Sequence, residues 1–248
     1  MKRFFPMLVA LILVVTSLGC AVPSATPSDA ANVATSSDAT PQDAAALAEQ
    51  PIASMPAVDL GVELKTYDEL IAALNDTTVT KAHISAEMEI APTEELTFER
   101  EGFVLTIDEG ITVTVRDNFV PVFFGTENAP GFVVNGTLAV VGTLNFGAMT
   151  LLNNGTLEVL SGATLSPGMS TIENHGQVLV DAGGTIRLER GTALRNFGTI
   201  TNLGEIDITS DGGSLQNAAE AALENNGSVK FDGDYQNEGF YSGAQQEP

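Results

Sequence analysis

Apolar and polar residues alternate along most of the chain beyond residue 79, in short runs that glycines separate. One such run contains the apolar residues Leu105, Ile107, Ile111, Val113 and Val115, with threonines between several of them. Alternation with a period of two is typical of a strand that buries one face, so the pattern predicts many short strands. A denser apolar segment, Phe119 to Phe124, is predicted to lie in the core or against a cap rather than on a binding surface.

A repeat of about 20 residues runs through the C-terminal half. Its most regular element is an asparagine, which stands at Asn135, Asn154, Asn174, Asn196, Asn217 and Asn237. A large apolar or aromatic residue lies two positions before each of them, and a glycine follows within two positions in all but one case. This period predicts a coiled solenoid in which equivalent side chains stack. We therefore expect the six asparagines to form a structural ladder that bonds to neighbouring amides and backbone.

A second repeated phrase is Gly-Thr-Leu or Gly-Thr-Ile, which starts at Gly136, Gly142, Gly155, Gly184 and Gly198. The glycine is expected to turn the chain, because it tolerates backbone conformations that other residues avoid. The aliphatic residue is expected to point inward and the threonine outward, on a β surface that threonine favours.

One short segment departs from the strand pattern. Thr66 is followed three residues later by Glu69, which is the pattern of a helix capping box. The residues after it place an apolar stripe on one side of a helix over residues 66–75. Because a solenoid needs a cover over its open hydrophobic end, we predict that this helix is the N-terminal cap.

The cap helix, the Asn-Gly corners and the Gly-Thr-Leu strands together resemble the pectin-lyase-like right-handed parallel β-helix, in the style of bacterial surface and autotransporter-passenger repeats. The resemblance covers residues 58–248. It implies an all-β fold, a single-stranded right-handed parallel β-helix with about 20 residues per rung and a short capping helix. It implies little about function, because the same coil carries lyases, hydrolases, esterases, adhesins and inert stalks.

Residues 1–19 are typical of an export signal, with two cations followed by the apolar run Met7 to Val15. That run is too short to span a bilayer, so we expect cleavage. Leu18, Gly19 and Cys20 resemble a bacterial lipoprotein signal, which implies lipid attachment at Cys20, the only cysteine of the chain. Ser17 departs from the aliphatic residue usual at its position, and ordinary secretory cleavage after Ala21 is the alternative.

Residues 20–57 are rich in Ala, Ser, Thr and Pro and contain almost no large apolar side chain. Such a segment cannot repay the entropy of folding, so it is predicted to be a disordered tether. The sequence thus predicts an exported protein that is lipid-anchored to a bacterial cell membrane or outer membrane and faces outward, with secretion as the alternative.

The formal net charge is −22. A chain this acidic repels nucleic acid, so we expect no nucleic-acid partner. The expected partners are the membrane, through Cys20, and an extracellular polysaccharide or a surface protein. Because the sequence has no Trp and few Tyr, carbohydrate is expected to meet Thr and Asn side chains rather than stacked rings.

The catalytic motifs of the resembled family are absent from the sequence. Arg187 and Arg190 do not form the arginine pattern of its lyases and are expected to lie in a solvated turn. The chain has no Asp-Asp pair, which the polygalacturonase relatives use as acid and base. His175 and His83 have no sequence neighbours that indicate a catalytic site. We therefore expect no catalytic residues and a structural or adhesive, non-enzymatic role.

Two alternative functions stay open. One is a passive spacer. The other is a carbohydrate-active enzyme, either a polysaccharide lyase or a glycoside hydrolase, or its degenerate relative, which would need three or more carboxylates on one face; the sequence candidates are Glu158, Asp181, Glu205 and Asp207. Calcium binding is a separate alternative, although no cofactor or metal site is expected. Its oxygen ligands would come from the segment containing Asp232, Asp234, Asn237 and Glu238.

Overall fold

The computed structural model describes residues 59–117, 119–124 and 130–243, which belong to one compact unit. Residues 1–58, which carry the predicted export signal, lipid attachment at Cys20 and tether, lie outside the described residues.

The chain coils into a parallel right-handed β-solenoid of about eight turns with about 21 residues per turn and little helix. Each complete turn places one strand on each of three sides, and every strand pairs in parallel with the strand one turn away. This confirms the predicted fold class. Neighbouring rungs lie about 4.8 Å apart, because that is the spacing of hydrogen-bonded strands.

Strands are numbered in chain order. The first side is a nine-stranded sheet of β1 (Val62–Leu64), β2 (Lys81–Ile84), β5 (Val104–Ile107), β8 (Phe132–Val134), β11 (Thr150–Asn153), β14 (Thr171–Asn174), β17 (Ala193–Asn196), β20 (Ser214–Asn217) and β23 (Asp234–Asn237). The second side is an eight-stranded sheet of β3 (Met88–Ile90), β6 (Thr112–Val115), β9 (Thr137–Val140), β12 (Thr156–Val159), β15 (Gln177–Val180), β18 (Thr199–Asn202), β21 (Ala222–Asn225) and β24 (Phe240–Ser242).

The third side begins with a two-stranded sheet of β4 (Leu96–Glu101) and β7 (Phe119–Phe124). It continues with a five-stranded sheet of β10 (Thr143–Leu144), β13 (Thr164–Leu165), β16 (Thr185–Leu188), β19 (Glu205–Ile208) and β22 (Ser228–Phe231). A parallel bridge joins Val122 of β7 to Gly147, which follows β10, so the third side continues from the first of these sheets to the second.

The helix α1 (Tyr67–Asn75) follows the first strand. Thr66 is its N-cap, and both hydrogen bonds of the capping box to Glu69 are present. Its inward face buries Leu70 and Leu74 against the solenoid core. The guanidinium of Arg100 donates to the carbonyl oxygen of Leu74 at 2.7 Å, so a cation meets the carbonyl groups that a helix C-terminus leaves free.

Alternate residues of each strand fill the core. In the nine-stranded sheet, Leu151, Ile172 and Leu194 occupy equivalent positions and are each at most 1% exposed. Full burial of such a side chain stabilises the fold by about 1.5–3 kcal/mol. The leucines and isoleucines of the Gly-Thr-Leu phrases are buried in the same way, and their threonines face outward, as expected.

The asparagine ladder differs from its prediction at its first two members. Asn174, Asn196, Asn217 and Asn237 stack in register, but the residue before Asn174 in this column is Asn153, not Asn154. Asn154 and Asn135 lie one position outside it, at the next corner position, where the Asn154 amide donates to Asn135 at 3.0 Å. The residue equivalent to Asn153 in the preceding rung is Val134, so the buried ladder starts at Asn153.

Within the ladder each amide nitrogen donates to the amide oxygen of the next rung, at 2.7 to 2.8 Å. Asn153, Asn174, Asn196 and Asn217 are fully buried. The buried Asn153 Oδ1 is the unpaired end of this chain of hydrogen bonds. A shorter, second ladder lies between the second and third sides, where Asn202 donates to Asn225 at 2.8 Å.

Candidate functional site

An apolar groove of about 620 Å³ lies on the third side of the rod and crosses four rungs. It is lined by Val120, Val122, Asn145, Phe146, Gly147, Ala148, Ser166, Gly168, Met169, Glu189 and Arg190. With rungs about 4.8 Å apart, its length along the axis is roughly 14 Å. We call this feature the lateral groove.

The groove exists because small residues occupy outward positions between larger ones. Val122, Gly147, Gly168 and Glu189 occupy one column, each bridged to the next. A Cβ atom added at Gly168 would meet no atom within 4 Å, and one added at Gly147 would meet its nearest atom at 3.5 Å. Neither glycine has a positive φ. Side chains would therefore fit at both positions, and the glycines leave the floor open.

The apolar segment at one end of the groove divides between core and surface. Phe119 and Phe123 are fully buried, as predicted. Val120 and Val122 instead point outward and line the groove. The expected place in the core is therefore confirmed for the two phenylalanines but not for the two valines, because alternation along a strand sends every second side chain outward.

Three residues with left-handed backbone conformations form the corner beside the groove. Ala148, Met169 and Arg190 have φ values of 54°, 49° and 53°, and they are the non-glycine residues with positive φ in the described part of the chain. Each such residue costs about 1–2 kcal/mol relative to glycine. Met169 is nevertheless 74% exposed, so no burial of its side chain offsets this cost. Strain of this kind is often found at binding sites.

The charged end of the groove contains Arg190 and Glu189. The Glu189 carboxylate lies 3.8 Å from Arg190 Nε and 3.5 Å from Arg187 Nε, so its charge is shared between two cations. The backbone nitrogen of Arg190 donates to Asp211 at 3.2 Å. The hydrogen bond from the Thr209 hydroxyl, followed by this backbone bond, lowers the pKa of Asp211.

Backbone donors on the groove floor are already used. Gly147 and Gly168 donate to carbonyl oxygens one rung below, at 3.2 and 2.8 Å, while Ala148 and Met169 donate one rung above, each at 3.2 Å. The floor is therefore an apolar surface, and the polar chemistry of the groove comes from Asn145, Ser166 and its charged end.

The four carboxylates that the sequence offered for an enzyme are not brought together. Glu158 lies on the second side, Asp181 follows a strand of that side, and Glu205 and Asp207 lie on the third side. Glu205 pairs with Lys230 at 2.7 Å, and Asp207 lies 3.5 Å from Arg187. Over residues 59–117, 119–124 and 130–243, no three His, Cys, Asp or Glu side chains form a group that could hold a metal.

The calcium segment also lacks such a group within the described residues. Asn237 accepts a hydrogen bond from Asn217 and so belongs to the ladder. Arg190 lies in an exposed turn, as predicted, and it also lines the lateral groove.

The two histidines have partners that the sequence did not indicate. His175 stacks on the exposed ring of Phe197, with 4.9 Å between ring centroids. His83 Nδ1 lies 2.8 Å from the carboxylate of Asp108, and both groups are partly buried. Each partner lies one rung away from its histidine. Only the register between neighbouring rungs would have indicated these pairs, and the sequence alone does not give it.

Comparison of the chain with protein-family models, curated proteins and solved structures found no match. Among the residues that the structure describes, no helix is both long and apolar enough to cross a membrane.

Proposed function

We propose that this chain is an exported, lipid-anchored β-helix protein of a bacterial cell envelope, with a structural or adhesive, non-catalytic role. The export signal and Cys20 support outward presentation, and the tether supplies distance from the lipid surface. The resemblance of the repeats to the pectin-lyase-like β-helix supports a rod whose long side faces are exposed to partners. The partner in this proposal is an extracellular polysaccharide or a surface protein.

The lateral groove is the observation that carries the adhesive role. The open space above Gly168 and the exposed side chain of Met169 contribute no buried packing to the solenoid. An apolar concavity with a few polar groups at its edge is the usual form of a ligand site.

Retention of the purified full chain on neutral and acidic polysaccharides and on envelope proteins tests this proposal. The wild type is compared with Gly168→Leu, which fills the groove, and with Thr201→Leu, which adds a leucine to an outward position on the second side. We expect retention of the wild type and of Thr201→Leu, and loss for Gly168→Leu. Equal retention of all three proteins would show that the groove is not the binding surface. No retention of any of them would reject the adhesive role and leave a passive spacer as the remaining function.

The His83–Asp108 pair favours a second candidate, a carbohydrate-active enzyme. A carboxylate at Nδ1 orients the imidazole and leaves Nε2 as the atom for proton transfer. Release of new chain ends from the same polysaccharides, with and without calcium, tests this candidate. Release by the wild type and none by His83→Gln would support it; no release by the wild type, or equal release by the variant, would reject it.

A further inference from the structure

A second cleft, of about 450 Å³, lies at the N-terminal end of the rod. Tyr67 and Ile71 of α1 form one side of its floor, and Pro92 and Leu96 form the other side, at the corner that joins β3 to β4. Tyr67 and Ile71 are four residues apart, so they share one face of the helix. This cap cleft is separate from the lateral groove.

The floor of the cap cleft is apolar and held in place from below. Tyr67, Ile71 and Leu96 each pack against the buried core while part of each side chain remains exposed. The capping box at Thr66 and the Arg100 contacts with the end of α1 fix the helix that carries one side of the floor. The concavity is thus part of the folded state and does not need a partner to form it.

The rim of the cap cleft is acidic. Asp68, Glu94 and Glu95 line it and are exposed. None of the described residues that line it is Lys, Arg or His. Nearby cations are engaged elsewhere, since Lys65 pairs with Glu63 at 3.0 Å and Arg100 binds the carbonyl oxygens of α1.

The whole chain reinforces this local charge. A net charge of −22 attracts cations over a distance and repels anions, so a basic ligand reaches the cleft faster than a neutral one. A metal ion is a poor occupant, because the described acidic groups include no cluster of three that could bind one. An apolar floor with an acidic rim fits a ligand that joins apolar side chains to positive charges.

We infer that the cap cleft docks a basic, apolar segment of a partner protein, in which leucine-like side chains cover Tyr67, Ile71 and Leu96 while lysine or arginine side chains pair with the acidic rim. Burial, and after it the charge of Asp68, raises the pKa of Tyr67, in keeping with its partly buried place beside the acidic rim. A lysine or arginine of the partner segment that lies over this ring gains a cation–π contact. The inference is independent of the lateral groove and of the proposed adhesive role there.

Fluorescence anisotropy with the full chain tests the inference. The probe is a labelled peptide of alternating lysine and leucine, compared with alternating glutamate–leucine and lysine–glycine peptides. We expect binding of the lysine–leucine peptide only. Binding of the lysine–glycine peptide with equal affinity would overturn the inference, since the apolar floor would then have no part.

Paired variants separate the cleft from general charge attraction. Glu94→Gln with Glu95→Gln removes two rim charges, and Glu220→Gln with Glu224→Gln removes two exposed charges at the far end of the rod. The rim pair should weaken binding of the lysine–leucine peptide roughly tenfold, and the control pair should leave it within about twofold. An equal loss in both pairs, or no loss in the rim pair, would overturn the inference. If the lateral groove proves not to retain polysaccharides or envelope proteins, the inference about the cap cleft is unaffected.

Discussion

Replacement of Asn196 by alanine tests the ladder directly. Asn196 Nδ2 donates to Asn217 Oδ1 at 2.7 Å and to the Ala222 carbonyl at 2.9 Å, and its Oδ1 accepts from Asn174 at 2.7 Å. The truncation leaves the buried Asn217 oxygen and the partly buried Ala222 carbonyl without this donor, and it removes the oxygen that accepts from Asn174. A buried polar group that loses its partner costs about 1–3 kcal/mol, so the expected loss of unfolding free energy is roughly 2–6 kcal/mol.

Asn154→Ala is the matched control. The same atoms are removed at an exposed corner, where the side-chain amide donates one hydrogen bond to Asn135 Oδ1. A surface change of this kind shifts stability by about 0.5 kcal/mol or less. Urea unfolding followed by circular dichroism compares the midpoints and slopes of both variants with the wild type. Similar losses for the two variants, or a loss under about 1 kcal/mol for Asn196→Ala, would refute the buried ladder.

Three further predictions concern the groove and the cap. Met169→Gly should raise the unfolding free energy by about 1 kcal/mol, because it relieves a left-handed conformation without removing a buried side chain. A thermal melt that shows no gain in stability would contradict this. Gly168→Leu should leave the melting temperature nearly unchanged, because a Cβ atom at residue 168 would meet no atom within 4 Å. Gly155→Leu should unfold the chain, because a Cβ atom at residue 155 would collide with the carbonyl oxygen of Gly136. Equal melting temperatures for the two variants would contradict the packing described. Backbone hydrogen bonds lower the pKa of Glu69 below its ordinary 4.5, so its stabilising effect is present above that pH and is lost as the pH falls through the lower folded-state value. Glu69→Gln should therefore flatten the acid side of the stability profile, and an unaltered profile would count against the capping box.

Much of the fold follows from local patterns. The 20-residue repeat, the alternation and the glycine corners predict a coil of short parallel strands, because each feature constrains the backbone within one rung. The capping box at Thr66 likewise depends on residues only three positions apart. A pattern this local cannot set the register between rungs, and so Asn154 was placed in the ladder where Asn153 lies.

The sites depend on contacts between rungs. The lateral groove needs Val122, Gly147 and Gly168 in one column, and nothing within a single rung indicates that alignment. The same is true of His83 and Asp108, which are 25 positions apart and meet only when two rungs stack. The cap cleft joins Tyr67 of α1 to Pro92, which lies 25 positions later in the chain.

The sequence by itself therefore determined the architecture of this protein, because a repeat buries its apolar side only by stacking on copies of itself. The tertiary structure alone decided which asparagines are buried, which valines face outward and where the surface is concave. These properties depend on the exact register of one rung on the next, and a shift of one residue exchanges the inner and outer faces of a strand.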